Sequence, residues 1–414
     1  MNESTTHAAI ETVARDSYGR LIAYLAARSG DVAGAEDALG DAFVAALERW
    51  PAEGVPEKPE AWLLHVARNR MIDAVRRSQV RQNSEKFLQQ IAEEAQTVAK
   101  AHEHFPDERL KLLFVCAHPA IDPAARTPLM LQTVLRIDAG RIASAFLVSP
   151  AAMSQRLVRA KNKIRDAGIP FRMPESPELN ERVSFVLDAI YAAYTTGWES
   201  LMETASTHHA LAAEAIALGR MLTQLMPREP EAHGLLALML HCEARREARY
   251  TEGKFVPLDH QNTSLWSQSM IDEAEGHLRS AAAFKRMGRY QLEGAIQSVH
   301  ANRARSERID WKEIALLYEG LIRIAPGIGS LVGRAVAIAQ AGDPAAGFDA
   351  LEQIPIDRTA NYQPYWATRG HLLRLLCRKD EAVEAFNRAA SLTDDPTLRE
   401  YLLRCSAETG NSYN

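Results

Sequence analysis

The sequence has no hydrophobic run long enough to cross a bilayer, which takes about 20 consecutive apolar residues. The segment Met1–Ile10 is polar and lacks the basic start and apolar core of a signal peptide, so we expect a cytoplasmic protein without a membrane partner. Cysteine is also scarce, and its four positions do not have the spacing of a metal site. They are Cys116, Cys242, Cys377 and Cys405. We therefore expect buried, reduced thiols.

Motifs of catalysis are missing too. The chain contains no Gly-rich phosphate-binding loop, no HExxH and no recognisable pair of nucleophile and base. His118 lies close to Cys116, but on an apolar segment, and a structural zinc site takes four ligands, so core packing is the better interpretation. We expect no enzymatic activity, no catalytic or metal-binding residues and no cofactor.

The net charge of −5 over 414 residues argues against a protein that coats nucleic acid nonspecifically. Two stretches are nevertheless basic. Residues 65–86 carry six basic and two acidic side chains, a local charge of +4, and residues 136–172 carry eight and two, a local charge of +6. Because DNA phosphates respond to the local density of cations, these stretches are where a DNA contact is expected.

The sequence predicts an all-α protein, because Ala and Leu are frequent, β-branched alternation is rare and apolar residues recur three and four apart. Two segments divide it: a Gln-, Glu- and Lys-rich stretch over 78–108, and 167–180, which holds three prolines and a glycine. We predict a helical domain over 8–78, a linker over 79–106, a second domain over 107–168 and a helical extension over 180–408. The linker is either a tether or an exposed helix.

The first domain contains an acidic helix followed by a basic one. In "GDVAGAEDALGDAFVAALERW" the apolar positions share one face, and Glu36, Asp37 and Asp41 lie off it. After the loop "PAEGVPEKPE", Pro59 opens the helix "EAWLLHVARNRMIDAVRR" at the first-turn position that proline favours. Its predicted buried stripe is Leu64, Ala67, Met71 and Val75, and its outward side chains are His65, Arg68, Asn69, Arg76 and Arg77.

The second domain contains a helix-turn-helix pattern, "GRIASAFLVSPAAMSQRLVRAKNKIR". Ser149 is the expected N-cap of the second helix, and Pro150 fits its first turn. The predicted inner stripe is Met153, Leu157, Ala160 and Ile164, and the outward face is Gln155, Arg156, Arg159, Asn162 and Lys163. This layout is typical of a helix that enters the DNA major groove; a plain helical hairpin with a basic surface is the alternative.

Three stretches of the extension share a helix, turn, helix pattern. They begin "EAIALGRMLTQL", "IALLYEGLIRI" and "YWATRGHLLRLL". A period of about 34 residues with such turns predicts a tetratricopeptide-like solenoid, whose concave surface suits a protein partner. The alternative is an irregular helical domain that only braces the front half.

The order of acidic helix, "AWLLHVARNRMIDAVRR", linker and helix-turn-helix resembles region 2 followed by region 4 of a sigma factor. "LKLLFVCAHPAIDPAARTPLMLQTV", "RYQLEGAIQSVHA", "DWKEIALLYEGL" and "RGHLLRLLCRKDEAVEAFNRAASL" look like the extracytoplasmic-function (group IV) sigma factors with a C-terminal tetratricopeptide-like extension. The similarity covers nearly the whole chain. It implies a factor that directs core RNA polymerase to specific promoters and supports DNA melting, with an extension that regulates or supports this activity.

The resemblance implies that core RNA polymerase is the protein partner, bound through the clamp helices of its large subunit and through its flap region. Acidic side chains beside an apolar anchor suit docking on the basic clamp. The residues that match the docking segment are Glu36, Asp37, Asp41 and Phe43. The extension is the expected position of any regulatory protein or ligand.

Promoter DNA is the second implied partner. Arg68, Asn69, Arg76 and Arg77 match the helix that engages the −10 element, and the loop 51–60 matches the one that captures a flipped base. Gln155, Arg156, Arg159 and Lys163 match the positions that contact the −35 element. Arg and Gln suit bidentate contacts with base edges, whereas some of these side chains are expected to meet only phosphate.

The sequence departs from the family pattern at several points. Gly40 stands where these sigma factors usually have Gln, and Gly333 where the subgroup tends to have Asn. The segment "RIDAGRIAS" lacks the usual Thr-Glu-Glu start of the first helix of the helix-turn-helix. Two other functions are weighed: a helix-turn-helix regulator that acts without polymerase, and a helical-repeat scaffold.

Overall fold

The computed structural model describes residues 3–78, 107–146, 148–199, 205–306 and 308–411. Helices dominate these ranges, and the strands within them form one short hairpin that pairs Tyr250 with Phe255 and Thr251 with Lys254. The all-α prediction is confirmed. The predicted linker 79–106 lies outside the described residues.

The helices up to residue 225 are α1 Glu3–Ser29, α2 Val32–Glu53, α3 Pro59–Ser78, α4 Arg109–Cys116, α5 Pro123–Thr133, α6 Ala139–Ala145, α7 Pro150–Asp166, α8 Ser176–Glu199 and α9 Ala205–Leu225. They are followed by α10 Pro230–Glu243, β1 Tyr250–Thr251, β2 Lys254–Phe255, α11 Gln268–Ala282, α12 Arg289–Ala301, α13 Arg303–Ser306, α14 Trp311–Ile324, α15 Ile328–Gln340, α16 Pro344–Glu352, α17 Ile356–Thr359, α18 Gln363–Leu375, α19 Lys379–Ser391 and α20 Pro396–Asn411. Within the described ranges, none of the helices has both the length and the apolar character that crossing a bilayer requires.

The chain forms two compact units. The first contains the described residues up to Glu199 together with α9 as far as Leu218, and the second contains the described residues from Gly219 onwards. The first unit therefore holds both predicted front domains and also the beginning of the predicted extension. The four domain ranges given above remain predictions.

In the first unit, α2 and α3 form around small and aliphatic side chains. Asp31 caps α2 by accepting a hydrogen bond from the Gly34 amide at 3.0 Å. Trp50 is buried at the end of α2 and meets Trp62 of α3 edge-on, with ring centroids 5.4 Å apart. Helix α3 begins at Pro59 as predicted, and Leu64 is buried as predicted. The neighbouring Leu63 is also buried, which widens the predicted stripe.

The predicted helix-turn-helix segment forms two helices, α6 and α7. Ser149 caps α7 by accepting from the Ala152 amide at 3.3 Å, and Pro150 occupies its first turn, as predicted. The predicted inner stripe of α7 is confirmed, since all four of its side chains are buried. Asp138 caps α6 by accepting from the amides of Gly140 and Arg141. This aspartate supplies the cap that the missing Thr-Glu-Glu start left unassigned.

Helices α8 and α9 complete the first unit against α4 and α5. The guanidinium of Arg182, on α8, is buried and donates to the Phe114 carbonyl at 3.4 Å. The guanidinium of Arg126, on α5, lies 4.6 Å from the centre of the Phe185 ring. The first helix of the predicted extension therefore shares a core with α4 and α5 of the predicted second domain.

In the second unit, helices pack mainly on their neighbours in sequence. Helix α14 packs on α15, α15 on α16, α18 on α19 and α19 on α20. Neighbour-on-neighbour packing is what a helical solenoid requires, because each helix pair buries its apolar face against the next. The tetratricopeptide-like class itself stays a prediction.

Candidate functional site

The outward face of α7 carries the side chains predicted to meet the −35 element. Gln155, Arg159 and Lys163 are exposed on it. Arg156 is half-buried, and its Nη1 donates to the Ala124 carbonyl of α5 at 3.3 Å. Three of the four predicted side chains are thus presented to solvent on one helix, and the fourth is partly held by the neighbouring helix.

Val158 is a further candidate on this face that the motif analysis did not single out. Its side chain is 56% exposed, although α7 is otherwise polar where it faces solvent. An exposed aliphatic group on a helix that enters the major groove suits contact with a thymine methyl group. The sequence could have indicated this candidate, because Val158 lies outside the inner stripe of α7 and next to Arg159.

The side chains predicted to engage the −10 element lie on α3. Asn69 is exposed, with its amide nitrogen 3.1 Å from Nε2 of His65, and Arg68 is half-buried. Arg76 and Arg77 belong to the last turn of α3, and their side chains lie outside the described residues. Arg68 therefore lies at the middle of α3, and the other three positions lie in its second half.

The predicted polymerase-docking residues of α2 fall into two environments. Asp37 and Asp41 are exposed, and Asp41 lies 3.9 Å from the Nε of Arg70. Phe43 is half-buried and stacks on Tyr18 of α1, with centroids 6.3 Å apart. Glu36 does not face solvent, because its side chain is 18% exposed and pairs with Lys161 of α7 at 2.5 Å.

Two exposed aliphatic side chains lie beside these carboxylates. Val44 is 54% exposed and Leu47 is 41% exposed, both on α2. An apolar patch next to Asp41 is the combination expected of a docking surface for a basic partner. Val44 and Leu47 are therefore better candidates for the apolar anchor than Phe43, whose ring is already in contact with Tyr18.

Burial dominates the electrostatics where α2, α4 and α7 meet. Desolvation raises the pKa of Glu36, while the ammonium of Lys161 opposes this shift without cancelling it. Burial and the nearby Glu36 carboxylate raise the pKa of the Cys116 thiol. Desolvation likewise raises the pKa of Tyr18 to about 12. Burial has therefore made the ionised form of Glu36 more costly to keep.

Neither a metal centre nor a disulfide is found in the part of the chain that the structure describes. Nowhere in these ranges do three His, Cys, Asp or Glu side chains gather as metal ligands, and all four cysteines are free. Cys116 and Cys405 are buried as predicted, whereas Cys377 is exposed, so the prediction of a buried thiol is wrong there. Cys377 has a φ of 61° at the end of α18, which turns it out of the helix.

Two segments of the chain match known protein families. Residues 14–81 match sigma-70 region 2, and residues 182–282 match a family of unknown function, DUF6596. An uncharacterized protein of Rhizobium meliloti (strain 1021) is 38% identical over 374 residues, which cover 89% of this chain and 88% of that protein.

The chain belongs to the sigma-70 family of transcription-initiation factors. Within that family, region 2 at the N-terminus and a DUF6596 region behind it give the organisation of an extracytoplasmic-function sigma factor with a helical extension. The predicted family is confirmed, and its role lies in transcription initiation by RNA polymerase.

Proposed function

We propose that the protein brings core RNA polymerase to its promoters by docking α2 on the clamp helices of the large subunit. The observation that carries the proposal is the exposed acidic and apolar face of α2, with Asp37, Asp41 and Val44, inside the segment that matches sigma-70 region 2. Charge complementarity steers such an encounter, and the buried apolar side chains hold it.

The promoter contacts are assigned to α7 and α3. Helix α7 enters the major groove of the −35 element and presents Gln155 and Arg159 to base edges, while Lys163 meets phosphate. Arg68 and Asn69 of α3, with Arg76 and Arg77, engage the −10 element. The loop between α2 and α3 captures an unpaired base, and this capture offsets the stacking that is lost when the strands open.

The extension supports the front half in this proposal, and regulates it. Its first helix, α8, packs against α4 and α5, and α5 in turn packs on α7, so α8 braces the helix-turn-helix through α5. The second unit offers the surface for a regulatory protein or ligand. A helical-repeat scaffold without polymerase is the rival of a different class.

The test is a pull-down of core RNA polymerase, followed by run-off transcription on genomic promoter fragments. Asp37→Lys is expected to abolish polymerase capture, and Asp394→Lys, an exposed aspartate of the second unit with the same charge change, is expected to leave it intact. DNA binding without polymerase capture would favour the regulator. Neither polymerase capture nor DNA binding by the wild-type protein would favour the scaffold.

A further inference from the structure

The first unit contains a cavity of about 400 Å³. Its walls are formed by α1, by the chain between α5 and α6 with the first turn of α6, and by α8 and α9. The residues that line it do not belong to α2, α3 or α7, so it is separate from the faces assigned to polymerase and DNA. Sites for small molecules usually have volumes of about 300–1,000 Å³, so the cavity is large enough for one small organic molecule.

Three arginines line the cavity without an ion-pair partner among the residues that the structure describes. They are Arg15 of α1, Arg136 and Arg141. By contrast, Arg20 and Arg109 of the same unit pair with carboxylates at 3.0 Å and 2.5 Å. A guanidinium has five N–H donors and remains charged, so acceptors for the three lining arginines must come from water or from a ligand.

The carboxylates that line the cavity are mostly engaged by other groups. Glu214 accepts from Arg109 at 2.6 Å, and Asp138 accepts from two backbone amides at the start of α6, at 2.7 Å and 3.3 Å. In the described part of the chain, Glu11 of α1 is the lining carboxylate that has no such partner. The cavity therefore combines free donors with few free acceptors, which suits a ligand that carries acceptors of its own.

Arg136 has two further features of a residue at a binding site. Its φ of 55° is a left-handed conformation that residues other than glycine rarely adopt. Its guanidinium lies 4.4 Å from the centre of the Tyr18 ring, and desolvation lowers the pKa of Arg136 although the charges of Tyr18 and Glu214 oppose this shift. Backbone strain of this kind is concentrated at ligand sites, and a partly dehydrated cation gains from an anion placed beside it.

The rest of the lining indicates what kind of anion fits. Leu135 and Leu211 contribute apolar surface on two different walls of the cavity. Apolar walls with a few converging polar groups are typical of sites for small organic molecules. The planar fork of a guanidinium matches a carboxylate or a phosphate group, so the arginines suit the acidic group of such a molecule.

We propose that this cavity binds a small organic anion, whose acidic group is held by Arg15, Arg136 and Arg141 and whose apolar body lies against Leu135 and Leu211. The inference goes beyond the proposed function and does not depend on polymerase docking. Because the ligand contacts α1 together with α8 and α9, it links the segment that matches sigma-70 region 2 to the first helices of the extension. Its binding stabilises the folded first unit by mass action.

The test is a fluorescence titration of the full-length protein with 8-anilinonaphthalene-1-sulfonate, an apolar anion, and with its uncharged analogue N-phenyl-1-naphthylamine. Arg15→Met and Arg141→Met remove exposed charges, and each is expected to weaken binding of the sulfonate about tenfold. Neither is expected to change binding of the uncharged analogue. Arg165→Met removes an exposed charge of α7 outside the cavity and is expected to match the wild type for both probes.

Glu11→Gln supplies a variant that gains affinity. It removes a negative charge from the cavity, so the sulfonate is expected to bind about twofold more tightly. A general loss of structure does not produce this gain.

Three outcomes would overturn the inference. In the first, the wild type does not bind the sulfonate, or all variants bind it equally. In the second, Arg15→Met and Arg141→Met weaken binding of both probes alike. In the third, these variants leave both probes unaffected but weaken binding to a −35 duplex, which would assign the arginines to DNA phosphate.

Discussion

Arg109 of α4 and Glu214 of α9 form an ion pair of 2.6 Å, with side chains that are 13% and 23% exposed. Arg109 also binds Asp107 at 2.5 Å, so one guanidinium serves two carboxylates. The pKa values reflect this sharing. Burial alone would raise the pKa of Asp107, but the hydrogen bonds from Arg109 outweigh burial and lower it. Burial raises the pKa of Glu214, although its ion pair with Arg109 opposes the shift. Asp107 therefore receives the larger share of the positive charge.

Replacing Glu214 with Ala is expected to lower the free energy of unfolding of the first unit by about 1–2 kcal/mol. The loss stays below that of a fully isolated buried charge, because Arg109 keeps Asp107 as a partner. Urea titration of the full-length protein measures it. Glu273→Ala removes a more exposed pair with Arg220 in the second unit, where a change below about 1 kcal/mol is expected. Equal effects of the two substitutions would contradict the role of Glu214.

Truncation tests whether the first helices of the extension belong to the front half. A chain that ends at Pro174 loses α8 and α9 and leaves the apolar surfaces of α4 and α5 in water, so we expect it to lose cooperative thermal unfolding. A chain that ends at Leu225 keeps both helices and is expected to unfold cooperatively. Calorimetry of the two fragments decides this, and a cooperative transition in the shorter fragment would refute the shared core.

Local patterns in the sequence predicted the helices, and they did not predict how distant helices meet. The inner stripe of α7 and its cap at Ser149 follow from spacing and residue type within a few positions. The Glu36–Lys161 pair joins residues 125 positions apart, and periodicity placed Glu36 on an outward face. Nothing in either helix alone indicates that a neighbouring helix covers that face, since charged side chains are normally solvated.

Gly333 shows, at a single position, that local sequence patterns do not predict contacts between helices. A Cβ there would lie 2.4 Å from the Cζ and Oη atoms of Tyr318, so the glycine lets this ring lie directly on the backbone of α15. This contact explains why Gly stands where the subgroup tends to have Asn. The reason for a glycine at this position lies in α14, which precedes α15 and supplies the Tyr318 ring.

Gly333→Ala is therefore expected to destabilise the second unit by about 1–3 kcal/mol through overpacking, in spite of the higher helix propensity of Ala. In a Tyr318→Ala background the same change is expected to be neutral or stabilising, and a double-mutant cycle measures the difference. Gly276→Ala is the control, because its Cβ would come no closer than 3.9 Å to another residue. A destabilisation that persists without Tyr318 would show that the ring is not the cause.

His300 gives the second unit a dependence on pH. Burial, followed by the charges of Arg245 and Arg303, lowers the pKa of this histidine from 6.5 to about 3. The folded protein keeps it neutral, whereas the unfolded chain takes up a proton below pH 6.5. Its contribution to stability is thus complete above pH 6.5 and is lost as the pH falls toward 3.

Between pH 6.5 and pH 5 this loss amounts to about 2 kcal/mol, at 1.36 kcal/mol for each pH unit. His300→Leu is expected to reduce the acid-dependent loss of stability by that amount, as measured by urea titration at pH 7 and pH 5. His260→Leu serves as the control, because its side chain is 73% exposed. An unchanged pH dependence in His300→Leu would place the origin of acid sensitivity elsewhere.

Substitutions at Arg156 and Val158 test whether these side chains recognise bases or only contact the DNA backbone. Arg156 donates to the Ala124 carbonyl at 3.3 Å, so it must leave that contact to reach a base edge. If it does so, Arg156→Ala is expected to weaken binding to the preferred −35 sequence by about 1–3 kcal/mol and to spare unrelated DNA. Val158→Ser is expected to reduce the preference for sequences that contain thymine on this face, because it removes only an apolar group.

Fluorescence anisotropy with the preferred and a scrambled −35 duplex, at several salt concentrations, measures both variants. Lys163→Ala provides the comparison, because loss of a phosphate contact is expected to weaken binding to both duplexes equally and to reduce the salt dependence by about one charge. An equal loss on both duplexes for Arg156→Ala would assign this side chain to phosphate as well. The specificity of α7 would then rest on Gln155, Arg159 and Val158.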